Sequence, residues 1–295
     1  MSKQATLRDW AKPSPSNRRA ILVSTAQNTK ALLPQVLDAV PQAPPKGYRY
    51  SHIKIPMLDP KYCPNLNSQV QIVNRDTLDI ALDLTHPTTS PQTINTKNVC
   101  VLNMASEKHA GGGWLRGALA QEEELCYRSS LSFTLKLRYY PLGVRDAIYS
   151  PTVVVFRENF KKFHRLMDLQ SPQSLPIVSV ISMAALRRPR VDRSTHPPKF
   201  KSSADREVTK DKMRLILRIA AYNKHRRLIL GALGCGAFEN PKEEVADCWA
   251  EVLQEPEFQG WWESIVFAVL EDQKDLAGSD GNFSAFHTKL HGLKV

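Results

Sequence analysis

The sequence predicts an α/β protein built in three layers, α/β/α, around a central mixed sheet and preceded by an N-terminal helical extension. Three observations predict it. From Val70 onward, short apolar runs alternate with longer helical ones. Two of those runs open directly into glycine-rich segments that lead into helices, and a helical stretch closed by a proline cluster precedes them all. Ligands in such folds sit at the carboxyl ends of strands, where both glycine segments fall.

Taken in order, Ser16 to Val40 reads as a helix with Ile21, Leu22, Leu32, Leu33, Val36 and Val40 as its apolar stripe, ended by Pro41–Pro45. Residues 1–68 are expected to form an extension that packs on a main domain of residues 69–295. Within the main domain the pattern predicts strands at Gln71–Val73, Asn98–Asn103, Ala147–Phe156, Pro176–Ser182, Arg227–Gly231 and Ile265–Leu270. Helices are predicted at Thr77–Leu84, Ala120–Leu137, Asp205–Lys224, Pro241–Leu253 and Phe283–Leu290. The segment Arg187–Lys201 is basic and broken by prolines, the composition of a mobile surface loop that either is simply solvated or attracts a polyanion.

Composition narrows the function. A formal charge of +11 and a pI near 9.5 favour an anionic partner such as a nucleic acid, a polyphosphate or an acidic membrane. The five cysteines, Cys63, Cys100, Cys126, Cys235 and Cys248, are odd in number and lack a Cys-x-x-Cys pair. Neither a disulfide framework nor a zinc knuckle is expected, and reduced thiols point to an intracellular setting, nuclear or cytoplasmic. The start of the chain reaches Lys12-Pro13-Ser14-Pro15 without an apolar core, which argues against secretion. The apolar runs around Ile177–Leu186 and Leu228–Phe238 are too short or too rich in glycine to span a bilayer.

The chemistry gathers at Gly111-Gly112-Gly113, followed by Gln121-Glu122-Glu123-Glu124. Glycine admits positive φ and lets several N–H groups converge on an anion, and the next helix N-terminus adds partial positive charge. Phosphate is the natural occupant. The loop is not a Walker motif, because Ala118-Leu119 stands where Lys-Ser/Thr would follow Gly117. On the helix, Leu119, Cys126, Phe133 and Leu137 suggest a stripe beside which one of the two acids must fall. An acid there is partly desolvated, its pKa rises, and it can donate a proton near neutrality. Neighbouring helical residues diverge by about 100°, so Glu122 and Glu123 are expected to play unequal roles. Alone, the three acids would read as a solvated face that complements the helix dipole.

A second cradle is Leu228-Ile229-Leu230-Gly231 running into Gly234-Cys235-Gly236-Ala237-Phe238. The following helix is expected to use Asn240 as N-cap, Pro241 as its first residue and Glu243 as capping partner. Two strand–glycine–helix units can hold the two phosphates of a diphosphate from both sides. Phe238 either walls off a sugar or is an ordinary core aromatic.

These residues resemble the microbial-type poly(ADP-ribose) glycohydrolases, which are macrodomain proteins. The triple glycine followed by Gln121-Glu122-Glu123 carries the resemblance, supported by Val101–Ser106, Tyr149-Ser150-Pro151, Val155-Phe156-Arg157, Leu230–Phe238 and Phe267-Ala268-Val269. Departures are Met104 and Leu233, where the family usually has aromatic residues, and His109-Ala110 ahead of the glycines, where proline is common. The resemblance implies hydrolysis of the ribose–ribose bond of poly(ADP-ribose) from the chain end, without metal or cofactor. It implies Glu123 as general acid, Glu122 as orienter of the ribose and Asn103 as a hydrogen-bond partner of the distal ribose. It further places the loop Gly111, Gly112, Gly113 along that ribose and the adjacent phosphate, Gln121 among the substrate-binding residues, Gly234, Cys235, Gly236 and Ala237 around the diphosphate, Phe238 at the terminal ribose and Asp76 at the adenine amino group. Partners would be poly(ADP-ribose), ADP-ribose and ADP-ribosylated proteins, with no membrane and no direct nucleic-acid binding as a main function. The competing readings are a non-catalytic ADP-ribose-binding macrodomain, a hydrolase of mono-ADP-ribosylated protein, and a nucleic-acid binder driven by the basic surplus.

Overall fold

The computed structural model describes residues 15–52, 55–85, 97–271 and 281–295, so the polar stretch through Ser14 that argued against secretion lies outside the described residues. Helix α1 spans Pro15–Ala39 and buries Leu22, Ala26, Thr29, Leu33 and Val36, a three- and four-residue spacing that keeps one face inward. Ile21, expected on that face, is 41% exposed, and Leu32 is only half-buried.

Seven strands form one sheet in the order β1-β4-β5-β3-β8-β9-β2. They are β1 (Tyr48–Ser51), β2 (Val70–Val73), β3 (Cys100–Met104), β4 (Asp146–Val154), β5 (Ile177–Met183), β8 (Arg227–Leu230) and β9 (Ser264–Ala268). β1 and β4 pair antiparallel, as do β4 and β5, and the other neighbours are parallel, so the sheet is mixed as expected. β1 lies inside the expected extension and still shares the sheet. At the opposite edge, β2 is flanked by the last residues of the chain: Val70 N–H donates to Leu293 O, Val295 N–H to Ser68 O, and Gln69 bridges Lys294.

Period-two alternation divides the central strands between two cores. Cys100, Leu102, Leu228, Leu230, Ile265 and Phe267 face helices α5 (Ser203–Tyr222), α6 (Lys242–Leu253) and α7 (Asn282–Leu290). Val101, Ile229 and Val266 face α1, α2 (Thr77–Thr85) and α3 (Gln121–Arg128). A smaller cluster pins Leu33, Val36 and Val40 against Val154, Phe156 and Leu175.

Three local expectations need correction. The helix expected over Ala120–Leu137 stops at Arg128, resumes only as the short α4 (Leu131–Thr134), and gives way to a 3-10 turn at Leu137–Tyr139. Ser129 is extended (φ −146°), and the backbone of residues 128–130 is taken by the end of β4: Ser130 N–H donates to Val154 O and Phe156 N–H to Arg128 O. The apolar stripe read along that helix accordingly fails, with Leu119 44% and Leu137 80% exposed. At α6 the cap is Pro241, and Asn240 instead turns its amide onto three carbonyls of the preceding loop and its neighbour, those of Leu186, Gly234 and Phe238. The basic segment contains a hairpin, β6 (Val191–Asp192) with β7 (Lys199–Phe200), rather than loop throughout.

The fully buried Arg128 joins these layers. Its guanidinium pairs with Asp76 through Nη1 and with Asp79 through Nη2 at 2.7 Å, and Nε donates to Arg157 O at 3.2 Å. Removing one side of such a pair strands the other charges. Arg128→Met is therefore expected to lower the unfolding free energy by about 3 kcal/mol, read by urea denaturation; a change below about 1 kcal/mol would contradict this role.

Candidate active site

Two cavities, of about 520 and about 330 Å³, open at the carboxyl ends of the parallel strands. Both are lined by Met104, Ala120, Gln121, Ala232 and Gly236, so they form one continuous cleft.

The first turn of α3 is locked to the end of β3 by Gln121. Its Oε1 accepts Met104 N–H at 2.9 Å and its Nε2 donates to Leu102 O at 2.7 Å, so the amide continues the strand ladder. This aims the two following residues at the glycine loop. Glu122 is 4% and Glu123 8% exposed, and both line the smaller cavity.

The carboxylates are gripped differently. Glu122 Oε2 accepts Ser106 N–H at 2.7 Å and Oε1 accepts Asn103 Nδ2 at 3.3 Å. Burial nevertheless outweighs these donors and pushes its pKa up to about 8. Glu123 Oε1 accepts Gly113 N–H at 2.8 Å, and among the described residues its Oε2 has no protein donor. Gly112, at φ +60°, lies so close to both acids that a Cβ there would overlap the Glu123 carboxylate. The requirement for glycine at this position is thus steric as well as conformational.

The loop is supported from behind. Trp114 is buried, and the Tyr127 hydroxyl lies 2.9 Å from Trp114 O and 2.7 Å from Ala118 O. From α1, Arg19 Nε donates to Arg116 O at 3.0 Å, and the Arg19 carbonyl packs where a side chain of Gly117 (φ +73°) would go. Glu124 belongs to no solvated face: it accepts His164 Nε2 at 2.8 Å and Phe160 N–H at 3.1 Å, fixing the loop that carries Phe160 and Lys161 into the larger cavity.

Opposite the acids, Gly234, Gly236, Ala237 and Phe238 line the smaller cavity. The loop is held by the Asn240 amide, and nothing lies within 4 Å of where a Gly236 Cβ would project. Arg187 stands over the Phe238 ring with its guanidinium 5.1 Å from the centroid.

Not every expected residue faces the cleft. Cys235 turns its thiol inward toward Leu233 O, and burial raises its pKa. Gly111 packs on Trp114 and Cys126. Asn103 is fully buried behind Glu122 and also donates to Ser182 Oγ at 3.0 Å, leaving its Oδ1 without a partner. Asp76 does line the larger cavity, where its Oδ1 caps α2 through Leu78 and Asp79 N–H and meets Arg128; burial is the main cause of its raised pKa, with Arg128 opposing. Phe160, Lys161, Ser106 and Arg187 were not foreseen as site residues. The one sequence cue for the first pair was an aromatic residue followed by two lysines just past a strand.

Among the described residues, no cluster of three His, Cys, Asp or Glu side chains converges to hold a metal, and no helix is long and apolar enough to cross a membrane.

Residues 25–158, which contain the first glycine loop and both acids, match the family described as microbial-type PARG, catalytic domain. The fold is similar to the poly(ADP-ribose) glycohydrolase of Thermomonospora curvata, with 26% identity and a TM-score of 0.73, covering 92% of this chain and 100% of that one. The same enzyme bound to the inhibitor ADP-HPD aligns at 27% identity with a TM-score of 0.71 over the same shares. The poly(ADP-ribose) glycohydrolase of Deinococcus radiodurans, in complex with ADP-ribose, shares the fold at 24% identity and a TM-score of 0.63, covering 82% of this chain and 93% of that one. No curated protein matches. The family resemblance and the macrodomain-like fold expected from the sequence are borne out.

The raised pKa of Glu122 has a thermodynamic consequence. Between about 4.5 and about 8 the folded protein holds a proton that the unfolded chain releases. The contribution to stability is full at low pH and falls as pH rises through the folded value. In Glu122→Gln this loss disappears, so urea denaturation from about pH 5 to about pH 9 is expected to show the variant gaining on the wild type as pH rises. Parallel curves would refute it.

Proposed function

We propose that this chain is a poly(ADP-ribose) glycohydrolase, an enzyme that hydrolyses the ribose–ribose O-glycosidic bond of the polymer and releases ADP-ribose. One piece of geometry carries the reading: Glu122, Glu123 and the Gly234–Phe238 turn line the same cavity, which shares Met104, Ala120, Gln121, Ala232 and Gly236 with the larger cavity lined by Asp76. The family match and the likeness to the Thermomonospora enzyme, which binds the inhibitor ADP-HPD, support it.

In this assignment the adenine of the terminal unit lies in the larger cavity near Asp76 and Phe160. The diphosphate runs along Gly234, Gly236 and Ala237, and the terminal ribose rests between Phe238 and the acids. Glu123, its Oε1 held by Gly113, acts as the general acid toward the departing ribose oxygen through Oε2. The C1–O bond breaks with oxocarbenium character, the substrate diphosphate offsets the developing charge, and water adds at C1 as its proton passes to the Glu123 carboxylate, restoring the acid. Glu122, whose pKa burial pushes up to about 8, orients the ribose from beside the general acid. Asn103 acts at one remove, through Glu122. No metal takes part. All five cysteines are free, which fits an intracellular enzyme.

Losing a positioned general acid costs ~10²–10⁴ in rate. Glu123→Gln is expected to lose turnover by that factor while binding ADP-ribose with little change, measured by product release and by calorimetry; retained turnover overturns the assignment. Wild-type enzyme acting on long chains is expected to yield ADP-ribose from the outset, with chelator present or absent. Early accumulation of internal fragments would contradict attack from the chain end.

A further inference from the structure

The surplus of positive charge is unevenly spread. Along α5 four of the five cations are neutralised by nearby acids: Arg206 and Lys210 meet Glu251, Arg214 meets Glu255 and Arg218 meets Glu257, while Lys212 bonds Val144 O. Between Arg187 and Lys201 there are six cationic residues and a single acid, Asp192.

The hairpin register sorts these residues. Val191 opposes Phe200, Asp192 opposes Lys199, and Lys201 N–H donates to Arg190 O. Opposed residues in an antiparallel pair share a face, and neighbours alternate. Buried Phe200 takes the inner face with Val191, which turns Arg190, Lys199 and Lys201 outward, all three exposed. Asp192 shares their face, but its Oδ1 is occupied by the N–H of Ser194 at 2.9 Å and its hydroxyl at 2.6 Å. Among the described residues, none of the three cations lies within ion-pair distance of a carboxylate.

The strip begins at the cleft. Arg187 lines the cavity that holds Glu122 and Glu123 and pairs with Glu107 at 3.6 Å, while Arg188 pairs with Glu239 at 3.2 Å and its N–H donates to Phe238 O at 2.9 Å. From that rim the chain bends at Arg187 and Arg188, the latter at φ +48°, and Pro189 leads directly into Arg190 and the hairpin. The hairpin is also anchored, with Phe200 N–H on the Glu244 carboxylate, itself paired with Arg206 at 3.2 Å. It is a preorganised surface.

We infer that the outer face of this hairpin is a docking track for the part of the poly(ADP-ribose) chain still attached beyond the scissile bond. The inference rests on the glycohydrolase reading, since the bond is cut beside Glu123 and the retained chain leaves past Arg187. Each retained unit brings a diphosphate to a face that already holds unpaired cations. A nucleic acid would find the same charges but has no reason to meet them at the mouth of this cleft.

The test is the triple variant R190E/K199E/K201E beside a control, K30E/K46E/K224E, with the same change in net charge at exposed positions elsewhere. On long polymer the hairpin variant is expected to lose on the order of tenfold in kcat/KM through KM, with kcat unchanged and a weaker dependence on salt. On a dimer of ADP-ribose, which leaves one unit at the rim, it should match wild type. Equal loss on both substrates, or equal loss in the control, overturns the proposal. So does a variant that loses binding to single-stranded RNA of matched charge while keeping its action on long polymer. Direct binding of long polymer to the hairpin variant in an E123Q background separates the two claims. If wild type cuts no polymer yet the hairpin variant binds it about tenfold more weakly, the glycohydrolase reading fails and the track stands. If polymer is cut and its binding is unchanged, the track fails alone.

Discussion

Two glutamates buried against glycine backbone are the constraint on which the rest of the site depends. Removing carboxylates from water is costly unless donors replace the lost hydration. Here Ser106, Asn103 and Gly113 supply those donors. They reach the acids because Gly112 has no side chain to hold the loop away. The two acids differ in environment: one is enclosed by donors and burial, and the other has an oxygen left for the cleft. A single residue step around α3 produces this difference.

Support for that arrangement comes from parts of the chain far apart in sequence. Gln121 ties α3 to β3, Tyr127 holds the turn after the glycines, and α1 closes over Gly117. Glu124 fastens the loop bearing Phe160 from the other side. One short helix therefore presents four consecutive polar residues, each used in a different direction. The N-terminal helix works as the outer wall of the glycine loop, an intimacy that a simple extension packed on a finished domain does not convey.

Much of this was legible in the sequence where local chemistry determines the outcome. Strands β3, β5, β8 and β9 were visible as apolar runs because both faces of a central parallel strand are buried. Both glycine turns were visible because close backbone approach excludes other residues. What escaped depends on partners distant in sequence. The end of α3 is decided by β4 capturing residues 128–130, and nothing local marks Ser129 as a break. Asn240 looked like a cap, yet the loop's own carbonyls compete for its amide and win. Both glutamates are buried, whereas the apolar stripe meant to locate one of them includes two exposed leucines. The edge strand β1, four residues with an exposed start, carries too little pattern to register.

The other end of the sheet shows how completion of the fold is shared with its final residues. β2 lies at the sheet edge, and Leu293, Lys294 and Val295 pair with Ser68, Gln69 and Val70 where the chain enters it, satisfying part of its row of amides and carbonyls. An uncovered margin of this kind is a template on which a second molecule can add its own strand. Trimming three amino acids from the carboxyl terminus, far from any chemistry, would leave the backbone of Ser68–Val70 open to such an addition.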